Sequence, residues 1–190
     1  MFPKGGQVLL VCFCLAACSQ GGLATASPTP LNAILPSVSP IGLYPGAALG
    51  PAPTSCSRPT PKSVSPNFGL AIGDSPVYAV GAWDSNGVLH AERATQTQNG
   101  EQVKVLWIIR PGFNLPVTLH GASTTTGLPL YFEIGGAGNT TTSPTLDPSL
   151  NPGTPWPNWP SYLDIPAADC YFVEADWSGG QWRVEFPAGD

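Results

Sequence analysis

The sequence predicts an all-β protein, an antiparallel β-sandwich, and three observations carry that expectation. Downstream of Pro66, apolar residues recur at every second position in several short runs. Glycine- and proline-bearing turn signals separate those runs. No stretch shows a 3.6-residue apolar period sustained over ten residues. About seven strands in about 125 residues fit one two-sheet domain, with no internal repeat.

The strands follow in order. Val77-Tyr78-Ala79-Val80-Gly81-Ala82-Trp83 reads as a strand, and Asp84-Ser85-Asn86-Gly87 turns it into Val88-Leu89-His90. Val103, Val105, Trp107 and Ile109 then alternate with Lys104, Leu106, Ile108 and Arg110. One face is apolar and the other mixed, the pattern of a central strand covered on both sides. Arg110-Pro111-Gly112 ends it. Val117 and Leu119 point one way, Thr118 and His120 the other. Leu128, Leu130, Phe132 and Ile134 form one apolar face of a further strand. Tyr171, Val173, Ala175 and Trp177 form another, as do Trp182, Val184 and Phe186. The last two runs flank Ser178-Gly179-Gly180-Gln181 and read as a C-terminal β-hairpin.

Residues 19–65 differ in kind, with Thr-Pro, Ser-Pro and Ala-Pro pairs throughout. Proline removes backbone donors and fixes φ, so neither helix nor sheet propagates there. Few bulky residues remain to offset chain entropy. The expected organisation is therefore an export segment at 1–17, a disordered Pro/Ser/Thr-rich tether at 18–65 and a β-sandwich at 66–190.

The export segment rests on the N-terminus. Lys4 precedes an uncharged apolar run from Val8 to Ala17, too short for a membrane core that needs about 20 residues. Leu15-Ala16-Ala17-Cys18 resembles the lipobox of bacterial lipoproteins. The resemblance implies a diacylglyceryl group, palmitate or similar chains, on the Cys18 thiol and cleavage just before it. It also implies an extracytoplasmic, lipid-anchored protein, in the outer membrane where the bacterium has two. Two acyl chains hold stably where one holds marginally.

Cysteine counting follows from that resemblance. Cys12 and Cys14 leave with the signal and Cys18 is acylated, so Cys56 and Cys170 remain as an even pair in a compartment where disulfides persist. Trp107 and Cys170 lie about sixty residues apart, which is similar to immunoglobulin domains. No cysteine lies shortly before Trp107, and Ala168 stands where those domains place a tyrosine. The Ig-like label therefore extends to architecture alone.

Charge excludes some partners. The whole chain carries −5, and loss of Lys4 with the signal leaves −6. An acidic, sparsely charged surface does not suit nucleic acid or anionic lipid. No His/Cys cluster has metal-ligand spacing, and no motif implies a cofactor. Asp164, Asp169, Glu174 and Asp176 lack the glycine and tight spacing of a calcium loop and read as a solvated acidic face. Gly73-Asp74-Ser75 reads as a turn before Pro76, since no Asp-x-x-His partner exists.

The candidate binding residues are Trp156, Trp159 and Tyr162, three aromatics in a proline-stiffened run from Pro155 to Tyr162. Exposed, they would make a platform for a glycan or an envelope protein; folded back, they would cap the sandwich. No nucleophile–base pattern is visible, so the expectation is a non-enzymatic binding or interaction module. The alternatives are a small envelope hydrolase using His90 or His120 as base, and a structural subunit of an envelope complex.

Overall fold

The computed structural model describes residues 49–81, 83–91 and 95–190. The expected signal segment, Cys18 and most of the expected tether lie outside those residues. The strands in chain order are β1 (Lys62–Ser63), β2 (Leu70–Ile72), β3 (Val77–Gly81), β4 (Leu89–His90), β5 (Thr95–Thr97), β6 (Gly100–Ile109), β7 (Val117–Ser123), β8 (Tyr131–Ile134), β9 (Thr140–Thr141), β10 (Thr145–Leu146), β11 (Asn158–Ile165), β12 (Asp169–Trp177) and β13 (Gly180–Gly189). A three-residue 3-10 turn at Pro148–Leu150 is the helical element among the described residues.

The protein is an all-β sandwich. Sheet A runs β1-β2-β3-β6-β11-β8-β9, with β5 extending the β3 side of β6 at its other end. Sheet B runs β10-β7-β12-β13-β4, antiparallel except for the short β13–β4 pair. The inward faces interlock in one core that includes Val105, Trp107, Phe132, Leu163, Tyr171, Val173 and Phe186. Trp83 meets Phe186 edge-to-face across it, with ring centres 5.8 Å apart.

The period-two reading of Val103–Ile109 holds on both sides. Val103, Val105, Trp107 and Ile109 enter the main core, while Ile108 and Leu106 join Ala71, Val80, Val64, Phe68, Tyr78 and Trp156 in a second cluster outside sheet A. The C-terminal hairpin forms with Trp177 opposite Gly180. The expected strand over 128–134 is split. Leu128 and Leu130 bond to Ser123 and Gly121 of sheet B, and the chain then crosses so that Tyr131–Ile134 pairs with β11 of sheet A. Pro129 has no donor to continue a ladder. Leu128 is consequently 53% exposed instead of joining the core face.

The expected domain boundary at Pro66 moves upstream. Leu49 packs against the main core, Asp190 N–H donates to Gly50 O, and Lys62–Ser63 pairs with β2. A Cβ on Gly189 would meet Ala52 N at 2.6 Å, so this strap lies directly on β13. The Cys56–Cys170 disulfide fastens it to β12, with Cα atoms 5.5 Å apart. Proline prevents residues 49–61 from forming a ladder of their own, but it does not prevent docking on a finished sheet edge.

No tyrosine stands two residues before Cys170, yet Tyr171 fills a related role. Its hydroxyl donates to Ala167 O at 2.8 Å and accepts from Ala167 N–H at 3.3 Å. Burial, foremost, raises its pKa, so the phenol stays a neutral donor.

Candidate functional site

Of the two arrangements open to Trp156, Trp159 and Tyr162, the exposed platform does not form. Trp159 and Tyr162 are three positions apart on β11, so their side chains leave opposite faces of sheet A. Trp159 packs against the main core, while Tyr162 lies half-buried outside, with Lys104 as its cross-strand neighbour. Trp156 precedes the strand and folds back over the second cluster, 5.8 Å from Phe68 edge-to-face and 6.4 Å from Tyr78. The reason is unpaid hydrophobic area: Ile108, Val80 and Ala71 face outward, and the stiff loop brings Trp156 within reach to cover them.

The histidines are placed by turns and ladders. Asp84 closes the turn before β4: its Oδ1 accepts from Asn86 N–H and Val88 N–H at 2.8 and 2.9 Å, and its Oδ2 lies 3.2 Å from His90 Nε2. Partial desolvation opposes ionisation of Asp84, but the Val88, His90 and Asn86 hydrogen bonds outweigh it and hold the carboxyl at about 2. His120 sits on the outer face of sheet B opposite Glu174, 3.9 Å from Asp176. The two histidines thus serve separate carboxylates.

The four acidic residues expected on one solvated face are divided. Glu174 and Asp176 lie on sheet B near His120, while Asp169 accepts from Ser123 and Thr125 hydroxyls at 2.6 and 2.8 Å. Burial pushes the Asp169 carboxyl up, and the two hydroxyls with Cys170 N–H outweigh it, leaving the pKa lowered. Asp164 is on sheet A and only 1% exposed, so the solvated reading fails there. Its cross-strand neighbours, Gln102 and Tyr131, come from distant sequence. Among the described residues, no group of three or more His, Cys, Asp or Glu is placed to hold a metal ion.

An open cleft of about 230 Å³ does form beside β13, lined by Pro59, Thr60, Gly73, Asp74, Trp182, Arg183 and Val184. Docking of the strap makes one wall and the β2–β3 turn another. Trp182 is fixed there, its Nε1–H donating to Val77 O at 3.1 Å. Gly73 adopts φ +93, and a Cβ on it would come within 2.9 Å of the Trp182 ring, so glycine lets the turn close on the indole. Asp74 accepts from Lys62 Nζ at 2.8 Å, which, with partial desolvation opposing, lowers its pKa. Arg183 Cζ lies 3.6 Å from the centre of the Phe172 ring and its Nη2 is 3.2 Å from Glu185. The cleft therefore combines a held aromatic ring with the Asp74 carboxylate and the strap, while the Arg183 guanidinium lies over Phe172 on the outer face of sheet B. In sequence, Trp182 read only as a core residue, because the strap that walls its exposed edge lies more than 120 positions away.

No family model and no curated protein matches the chain. Among solved structures, the ASH/PapD-like domain of human CEP192 (PapD-like domain 7) is similar at 13% identity over 68% of this chain and 96% of that domain, with a TM-score of 0.27.

Proposed function

We propose that this chain is an extracytoplasmic lipoprotein, anchored through acylated Cys18, whose β-sandwich acts as a non-catalytic glycan-binding module. The observation that carries the binding reading is the cleft around Trp182. An indole held by its own N–H and backed by Gly73 loses little freedom when a ligand stacks on it. Sugar rings present apolar C–H faces to such a ring and hydroxyls to groups such as Asp74 and Thr60. The disulfide supports an oxidising compartment, consistent with the lipobox resemblance.

The test is co-sedimentation of the purified protein with insoluble cell-wall glycan, alongside titration with soluble oligosaccharides. Wild type is expected to pellet and Trp182→Ala to remain in solution, with Trp156→Ala unaffected. Equal pelleting of wild type and Trp182→Ala, or none by either, overturns the cleft as a glycan site. Retained hydrolysis of the sugar by wild type would instead favour the hydrolase alternative.

A further inference from the structure

The outer face of sheet A carries a second polar site, remote in the fold from the Trp182 cleft. Asp164 stands on β11 between Gln102 of β6 and Tyr131 of β8, both its direct cross-strand partners. Glu133 is two positions along β8 on the same face, opposite Tyr162. The Gln102 amide reaches across β11 and donates Nε2–H to Glu133 Oε2 at 3.0 Å. Asn99, in the β5–β6 turn, donates Nδ2–H to Asp164 Oδ2 at 3.2 Å. Glu133 is steadied by Gly138 N–H, which donates to its Oε1 at 2.9 Å.

One atom in this arrangement lacks a partner. Asp164 Oδ1 is buried, with no hydrogen-bond donor, in a residue only 1% exposed. A buried carboxylate oxygen without a partner is destabilising, and a second carboxylate nearby adds like-charge repulsion. Burial, foremost, raises the Asp164 pKa; side-chain hydrogen bonds from Asn99, Gln102 and Thr97 oppose it, and the Glu133 charge adds the smallest contribution.

We propose that Asp164 and Glu133 bind a calcium ion, with the side-chain oxygens of Gln102 and Asn99 completing the protein ligands. Every candidate donor is a hard oxygen, without thiol or imidazole, which suits calcium and not zinc. Calcium accepts six to eight oxygens in irregular geometry, whereas magnesium demands a tight octahedron. The amides of Gln102 and Asn99 now present N–H to the carboxylates. Rotation by half a turn about each terminal torsion exchanges nitrogen for oxygen with almost no change of shape, so both can turn from donors into ligands. The cation would neutralise both carboxylates and give Oδ1 the partner it lacks. Sequence spacing conceals the site because its residues come from three strands and a turn.

Calcium titration of the full chain, stripped with EDTA, tests this by calorimetry and thermal melting. One ion per chain is expected, at about 10⁻⁴–10⁻³ M as in extracellular modules, with a melting rise of about 3–5 °C near tenfold saturation. Asp164→Asn and Glu133→Gln should each weaken calcium binding at least tenfold, while Glu174→Gln on sheet B leaves it unchanged. Two variants guard against misfolding of either one, and circular dichroism verifies both. Absence of heat and of a melting shift at about 10 mM CaCl₂ overturns the proposal, as does equal binding by wild type and both variants. Tighter binding of magnesium than calcium also overturns it. A purely pH-dependent stability with no calcium response would show that Asp164 is simply protonated in place.

Discussion

Replacing Cys56 and Cys170 together by serine should destabilise the domain by an amount that the fold allows to be worked out. The bond joins positions 114 residues apart. In the chain-entropy model, releasing a loop of that length frees the unfolded chain by about 5 kcal/mol at 25 °C, and measured removals of native disulfides fall at about 2–5 kcal/mol. The native state should survive, because the strap is also held by Leu49 in the core and by the Asp190–Gly50 hydrogen bond. A domain of this size loses about 3–4 °C per kcal/mol, giving a melting decrease of about 6–20 °C. Urea unfolding followed by tryptophan fluorescence provides the assay, run on wild type with and without reductant and on the double variant. The m-value should rise on reduction, since the released unfolded chain exposes more surface. A loss below about 1 kcal/mol, or an unchanged m-value, would refute the idea that the strap closure restrains the unfolded ensemble.

Three further outcomes are expected. In EDTA, Asp164→Asn should be more stable than wild type at neutral pH: a carboxyl whose folded pKa is raised contributes stability present below 3.8 and lost as pH rises through the folded value. Melting both proteins from pH 4 to 8 checks this, and parallel profiles would contradict it. Asp84→Ala should cost about 1–2 kcal/mol by leaving the Val88 and Asn86 N–H groups without their acceptor. Asp84 is lowered from 3.8 to about 2, so its contribution is present above 3.8 and lost as pH falls through 2; denaturant melts should show the variant lacking that acid-side loss. Gly100→Ala should lower stability by more than about 2 kcal/mol, since φ is +130 and a Cβ would collide with the Ile165 carbonyl; a melting temperature within 3 °C of wild type, roughly 1 kcal/mol, would show that the turn relaxes.

Local pattern made most of the sandwich legible, because a strand's two faces are written in alternate residues. That is why Val103–Ile109 predicted both the main core and the covered outer face. The even pair Cys56 and Cys170 pointed to the bond that forms. What failed was decided by non-local register. Leu128 looked like the start of a core strand, but the chain changes sheet after Leu130. The proline-rich segment looked unable to fold, a sound inference for independent structure and a poor one for a strap that needs only an edge to lie on. Trp156 could have faced solvent or sheet A, and the uncovered Ile108 decided it. Asp164 read as solvated because Gln102 and Tyr131, which enclose it, come from other strands.

We propose that an acylated Cys18 delivers and holds this β-sandwich outside the cytoplasm. Intact mass spectrometry of the membrane-extracted protein tests it most directly. The predicted mass is that of a chain beginning at Cys18 and carrying a diacylglyceryl group. A chain that retains residues 1–17, or one whose Cys18 is unmodified, contradicts the account.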